Sequence, residues 1–373
     1  MSGLRATVLG TIAVLLALLA APVGAAQAAD PIVNTVPPAL TGQAVYGDRL
    51  RTTLGTWTPE GLTLTVQWHR DGDPVPGATR RGYRLRLADL GHRLSATVTA
   101  TDAEGTRVSA TTAPSDRVGR ASLVSVAPPR ITGTLRYTHR LSATRGTWSK
   151  APQRVSYRWL RDGRPIKGAT RASYVLQAGD VGARVSVAVR VRREGYLPAQ
   201  ADSARTARIG HRVPVRRTVT YRVETRGRIT TSLATFKRQV LETYRDPRGW
   251  RSAGVAFRPV SRGGSFSVVL AEASWVPRFS SACSAEWSCR VGRYVIINQT
   301  RWKYASPAWN AAGLPLRSYR HMVVNHETGH WLGHGHLGCP GPGRLAPVMM
   351  QQSKGRDGCR FNPWPLPSEL WSR

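Results

Sequence analysis

The sequence predicts a multidomain chain: two all-β sandwiches followed by an α+β domain. Three observations carry this. The 373 residues are enough for two or three domains. A block of motifs in the first half occurs twice, at a constant offset of 91 residues. After Gly210 the repeat stops, and single strands begin to alternate with a helical stripe. Hydrophobic residues make up 41% of the chain, so a net charge of +33 does not imply disorder.

The N-terminus reads as an export signal. Arg5 precedes the apolar run Val8 to Ala21, and Ala26-Gln27-Ala28 supplies a small-x-small cleavage pattern. Residues 1–29 are therefore expected to be removed, leaving a secreted mature chain without a transmembrane segment. All four cysteines, Cys283, Cys289, Cys339 and Cys359, fall in the last quarter. In an oxidising compartment they read as two disulfides with three connectivities. Sequence neighbours favour Cys283–Cys289 and Cys339–Cys359, although spacing alone does not prove it.

The repeats come next, over residues 30–118 and 119–210. Gly55-Thr56-Trp57 returns as Gly146-Thr147-Trp148, and Trp68 returns as Trp159. Arg70-Asp71-Gly72 returns as Arg161-Asp162-Gly163, Tyr83 as Tyr174, and Asp89 as Asp180. Leu64, Val66 and Trp68 alternate with polar residues, as do Val155, Tyr157 and Trp159, which predicts strands with one buried face. Asp-Gly between such runs is hairpin-turn chemistry. Short strands with a Trp on a central one fit an immunoglobulin-type sandwich. The modules resemble the immunoglobulin-like repeats of many secreted actinobacterial proteins, over residues 33–209.

A linker at residues 211–217 leads to the third domain, residues 218–373. Val219, Tyr221 and Val223 alternate as a strand. Thr231 or Ser232 can cap a helix whose Leu233, Phe236, Val240 and Tyr244 form one stripe. Ser265 to Ala271 and Tyr294 to Asn298 read as further strands.

The chemistry lies in His326 to His336, HETGHWLGHGH, which holds four of the nine histidines. His326 and His330 are four apart, so a helix places them on one face, where they can bind one Zn²⁺. Glu327 adjoins the first ligand and can take a proton from water. Gly333 can leave helical geometry at little cost, and His336 can then complete the set. His334 is a competitor for the third ligand position, and His321 is expected to be a surface histidine.

This segment resembles the metzincin metalloproteases, whose H-E-x-x-H-x-x-G-x-x-H motif precedes a methionine turn. Met349 in Pro347-Val348-Met349-Met350 stands where that turn methionine would be. The stretch from Thr218 to Pro365, with CPGPGRLAPVM and NPWP, is similar to a secreted actinobacterial family of unknown function with a zincin-like core. The resemblance implies a metzincin-like fold and hydrolysis of peptide bonds, with one catalytic zinc on His326, His330 and His336 and Glu327 as general base. No tyrosine closely follows the methionine, so the auxiliary tyrosine ligand of some metzincins is missing. The substrate is expected to lie extended along an edge strand, taken as Phe266 to Leu270. The alternatives are an amidase acting on peptidoglycan stem peptides, or a cell-envelope adhesion protein with a non-catalytic zinc domain.

The charge is unevenly placed. Residues 30–118 carry a net +1, residues 119–210 carry +14 and residues 211–373 carry +17. Arg is scattered singly rather than gathered with aromatics, which argues against nucleic acid as a partner. The expected partners are a protein or peptide substrate and anionic cell-envelope polymers, met by a monomer.

Overall fold

The computed structural model describes residues 30–371; the expected signal peptide lies outside the described residues. The chain divides into two compact units, one ending at Ala121 and the other beginning at Ser122.

The first unit is an all-β sandwich. Thr63–Arg70 pairs antiparallel with Leu94–Thr101, which pairs in turn with Arg107–Thr111. Facing strands Arg49–Thr52 and Gly82–Arg84 pair with each other. Alternation decides the core: Val66, Trp68, Leu94, Ala96 and Val98 point inward and are buried. The second repeat, in the other unit, has the same plan, with Arg154–Arg161 pairing Val185–Arg192 and Trp159 opposite Val187. Both central tryptophans are fully buried. The Trp68 indole N–H donates to the Arg80 carbonyl at 2.8 Å, and that of Trp159 to Arg171 at 2.9 Å. Large apolar rings are thus buried without stranding a donor.

The repeated Arg, Tyr and Asp meet inside each sandwich. Asp89 accepts hydrogen bonds from Arg70 Nη2 at 2.6 Å, from the Tyr83 hydroxyl at 3.1 Å and from the Arg86 backbone N–H at 2.6 Å. Asp180 does the same with Arg161 at 2.7 Å, Tyr174 at 2.8 Å and the Gln177 N–H at 2.6 Å. Burial and the Asp180 partner push the Tyr174 hydroxyl up to about 12. Asp71 and Asp162, each followed by glycine, adopt left-handed φ of 48° and 47° and close the hairpins.

The C-terminal part of the second unit is an α+β arrangement. Strand β1 (Arg217–Arg226) pairs parallel with β2 (Val255–Pro259) and β3 (Phe266–Ala271). Strand β5 (Tyr294–Asn298) pairs parallel with β3 and antiparallel with β4 (Cys289–Val291), so the order is β2-β1-β3-β5-β4. Helix α1 (Leu233–Arg245) is capped by Ser232, whose side chain accepts the Thr235 N–H at 3.2 Å. The short helices α2 (Gln299–Tyr304) and α3 (Pro307–Ala311) lead to α4 (Leu316–Trp331). Phe236, Val240 and Tyr244 from α1, Phe257 and Phe266 from the sheet, and Met322 and Val323 from α4 share one core. Among the described residues beyond α4, regular structure is limited to one short turn at Pro367–Glu369 and an isolated bridge between Leu345 and Arg360.

One expectation fails here. Phe266 to Leu270 is not an edge strand: β3 lies between β1 and β5, and every one of its residues is buried. Its near-continuous apolar run, interrupted only by the buried Ser267, is what a strand covered on both faces requires. The sheet's edges are β2 and β4, and the one that lines the histidine cleft, β4, is only three residues long. Disulfides join Cys283 to Cys289 beside β4 and Cys339 to Cys359 in the irregular segment. Among the described residues, no helix is long and apolar enough to cross a membrane.

Candidate functional site

Helix α4 carries His326, Glu327 and His330, and its end brings in the third histidine. Leu332 caps the helix in right-handed geometry, and Gly333 follows at φ 99°. The Gly333 N–H returns to the His330 carbonyl at 3.2 Å, and the His334 N–H to Gly329 at 2.9 Å. These two bonds form a Schellman turn, in which the left-handed residue is glycine because any Cβ there is penalised. The turn carries His336 back against the helix.

The His330 Nε2 lies 3.1 Å from the Nε2 of His326 and 3.1 Å from that of His336. These three side chains form a group that could hold a metal ion. Their tautomers follow from their other nitrogens. His326 Nδ1 is 2.8 Å from the Val348 carbonyl, and His330 Nδ1 is 2.8 Å from the His334 carbonyl. A carbonyl only accepts, so both rings donate from Nδ1, and both neutral rings present bare Nε2 lone pairs toward one point. Burial, helped by the neighbouring His330, lowers His326 to about 3, and burial also lowers His330 and His336. Facing lone pairs repel unless a cation lies between them, so the donor set fits a metal ion.

Glu327 is buried on the same helix and lines the same cleft. Burial without a compensating partner raises its carboxyl to about 8. The cleft has a volume of about 870 Å³, with segments 282–290 and 351–354 lining it beside α4.

Packing under the histidines is tight. Met349 is fully buried, and a Cβ added at Gly329 would collide with its sulfur and fall 2.7 Å from the Trp250 ring. Trp250 also donates its indole N–H to the Asn325 carbonyl at 2.9 Å, tying α4 to the turn after α1. The loop at Val348 and Met349 is held by Glu369, whose carboxylate accepts both backbone N–H groups at 3.0 and 2.9 Å. Glu369 also accepts the Leu366 N–H at 2.7 Å. Burial outweighs these three donors and raises its carboxyl above the ordinary range. Because Val348 in turn receives the His326 Nδ1–H, Glu369 supports the first histidine at one remove.

The structure brings His326, Glu327, His330 and His336 together. His334 stands apart: its ring stacks on Trp250 and Trp371, and its Nε2 lies 3.0 Å from the Trp371 carbonyl. His321 is not the surface residue expected. It is half-buried, 2.9 Å from the Thr243 hydroxyl and tilted against Trp364 at 4.5 Å, and burial lowers it to about 4. Its position one turn before the motif faces α1, and helical spacing alone does not tell that face from solvent. Glu369, Arg290 and Lys354 were not legible as site residues. The available signal for Glu369 was its scarcity, as one of 8 acidic residues in 211–373.

Residues 203–367 match a family model described as a protein of unknown function (DUF3152). No curated protein matches the chain. Three N-terminal domains of the Hoc outer capsid protein of bacteriophage RB49 are 18% identical, over 50% of this chain and 65% of that one, with a TM-score of 0.20. The amphioxus IgVJ-C2 molecule is 14% identical over 41% of this chain and 90% of its own, with a TM-score of 0.21. The tandem Ig repeats of Dlar are 10% identical over 45% and 96%, with a TM-score of 0.14. The chain thus places two all-β repeats before a segment that matches the DUF3152 model.

Proposed function

We propose that the chain is an exported zinc-dependent peptidase whose chemistry resides in residues 218–373. The observation that carries this reading is the convergence of three histidine Nε2 atoms beside a buried carboxylate in an open cleft. His326, His330 and His336 would hold the ion, leaving a further coordination position for water or substrate. A bound zinc ion supplies Lewis acidity there, acidifying water and polarising a carbonyl.

The remaining work falls to the chain. With a cation held close by to favour its ionised form, Glu327 takes a proton from water on its carboxylate oxygen and delivers it to the departing amine nitrogen. The Val348 and His334 carbonyls orient the first two imidazoles, so no rotamer search precedes the reaction. The outer side of β4, the terminal strand on the cleft side of the sheet, can accept an extended peptide by strand addition. The two disulfides support export to an oxidising compartment.

Glu327→Gln tests the reading. Hydrolysis of an unbiased peptide library should fall by about 10²–10⁴-fold, while metal analysis still finds zinc bound. Unchanged turnover in that variant, or turnover indifferent to a chelator, sinks the assignment.

A further inference from the structure

We infer that the cleft selects peptides bearing carboxylate side chains next to the reacting bond, through Arg290 and Lys354; this rests on the peptidase reading above. Arg290 projects from the edge strand β4, and Lys354 comes from the loop beyond Met349. Both are exposed and line the same cleft as the three histidines. Neither has a carboxylate partner among the described residues; the Lys354 ammonium reaches only the Gln351 amide oxygen at 3.4 Å.

The cleft offers little to offset them. Its acidic residues are Glu327 and Glu286. Glu327 belongs to the reaction. Glu286 is already paired with the Arg301 guanidinium, 3.5 Å away. The space around the histidines therefore holds two uncompensated cations, one from each of two segments that border it. A peptide laid along β4 passes Arg290 as it approaches the histidines. A carboxylate there gains two attractions, and a Lys or Arg there is repelled twice. General surface charge does not account for this, because a diffuse field attracts acidic peptides wherever arginines lie.

The test uses the full chain and a fluorescently labelled octapeptide with central Glu and Asp, against its Gln and Asn isostere. Anisotropy titrations with zinc removed read binding alone. The acidic peptide should bind about tenfold more tightly, and Arg290→Gln and Lys354→Gln should each remove about threefold. Arg107→Gln, an exposed arginine in the first repeat, should leave binding unchanged. The difference should shrink toward nothing at about 0.5 M salt. Equal affinity for the two peptides, or an equal loss in Arg107→Gln, overturns the inference. With zinc restored, metal-dependent cutting of both peptides at equal rates also overturns it and leaves the peptidase reading intact. Selective binding without any cutting does the reverse.

Discussion

The same local device occurs in the two all-β repeats and under the histidine cluster, but it is compensated differently. Asp89, Asp180 and Glu369 each end a short 3₁₀ turn and accept the N–H of the residue three positions back. All three are buried. In the repeats the acid also meets an arginine and a tyrosine, so its charge is paired. Under the cluster, Glu369 has only backbone N–H groups. A paired acid fastens two sheets that have no disulfide. An unpaired acid positions a loop through dipoles and brings no bulky partner into a crowded site.

The comparison can be broken at several strengths. Asp180→Ala removes an ion pair, a tyrosine bond and a backbone acceptor together, and should cost about 3–4 kcal/mol in chemical denaturation. A loss under about 1 kcal/mol would mean the network is incidental. The sharper contrast is Asp180→Asn against Glu369→Gln, since both keep an acceptor oxygen and remove only charge. The first should cost about 2 kcal/mol and the second less than about 1 kcal/mol; equal costs would erase the distinction. The sign for Glu369 is set by its raised carboxyl. Its contribution is fully present below the ordinary carboxylate range and is lost as pH rises through the folded value. Glu369→Gln should therefore gain on the wild type as pH rises, read by thermal melts across pH.

His321 gives the opposite slope. Its folded value near 4 lies below its ordinary 6.5. Its contribution is present above 6.5 and is lost as pH falls from there toward 4. His321→Gln should flatten that acid loss by on the order of 1 kcal/mol, after allowing for solvent screening of the half-buried ring. An unchanged acid limb would place the titration elsewhere.

What the sequence disclosed follows from how local each signal is. His326, Glu327 and His330 lie in one helix and His336 lies three residues past its terminating glycine, so spacing alone placed them. The repeated Arg, Tyr and Asp were visible as a 91-residue echo, but their meeting required the sheet pairings. Tyr294 to Asn298 was read to its exact ends, because five consecutive residues carry the pattern. The position of Phe266 to Leu270 within the sheet was misread, since an apolar run marks burial on both faces and says nothing of order. Three residues are too few for β4 to leave an alternation. Glu369 acts across 20 residues on a loop without periodicity, which no local rule reaches.

Gly329 occupies one of the two positions in H-E-x-x-H that the pattern leaves free. In this chain the freedom is nominal, because a side chain there would have to share space with Met349 and Trp250. The floor beneath the histidines thus dictates a letter that the motif itself does not spell. Related sequences should therefore change positions 329, 349 and 250 as a set, and a lone substitution at any one would identify a chain in which the floor has been rebuilt.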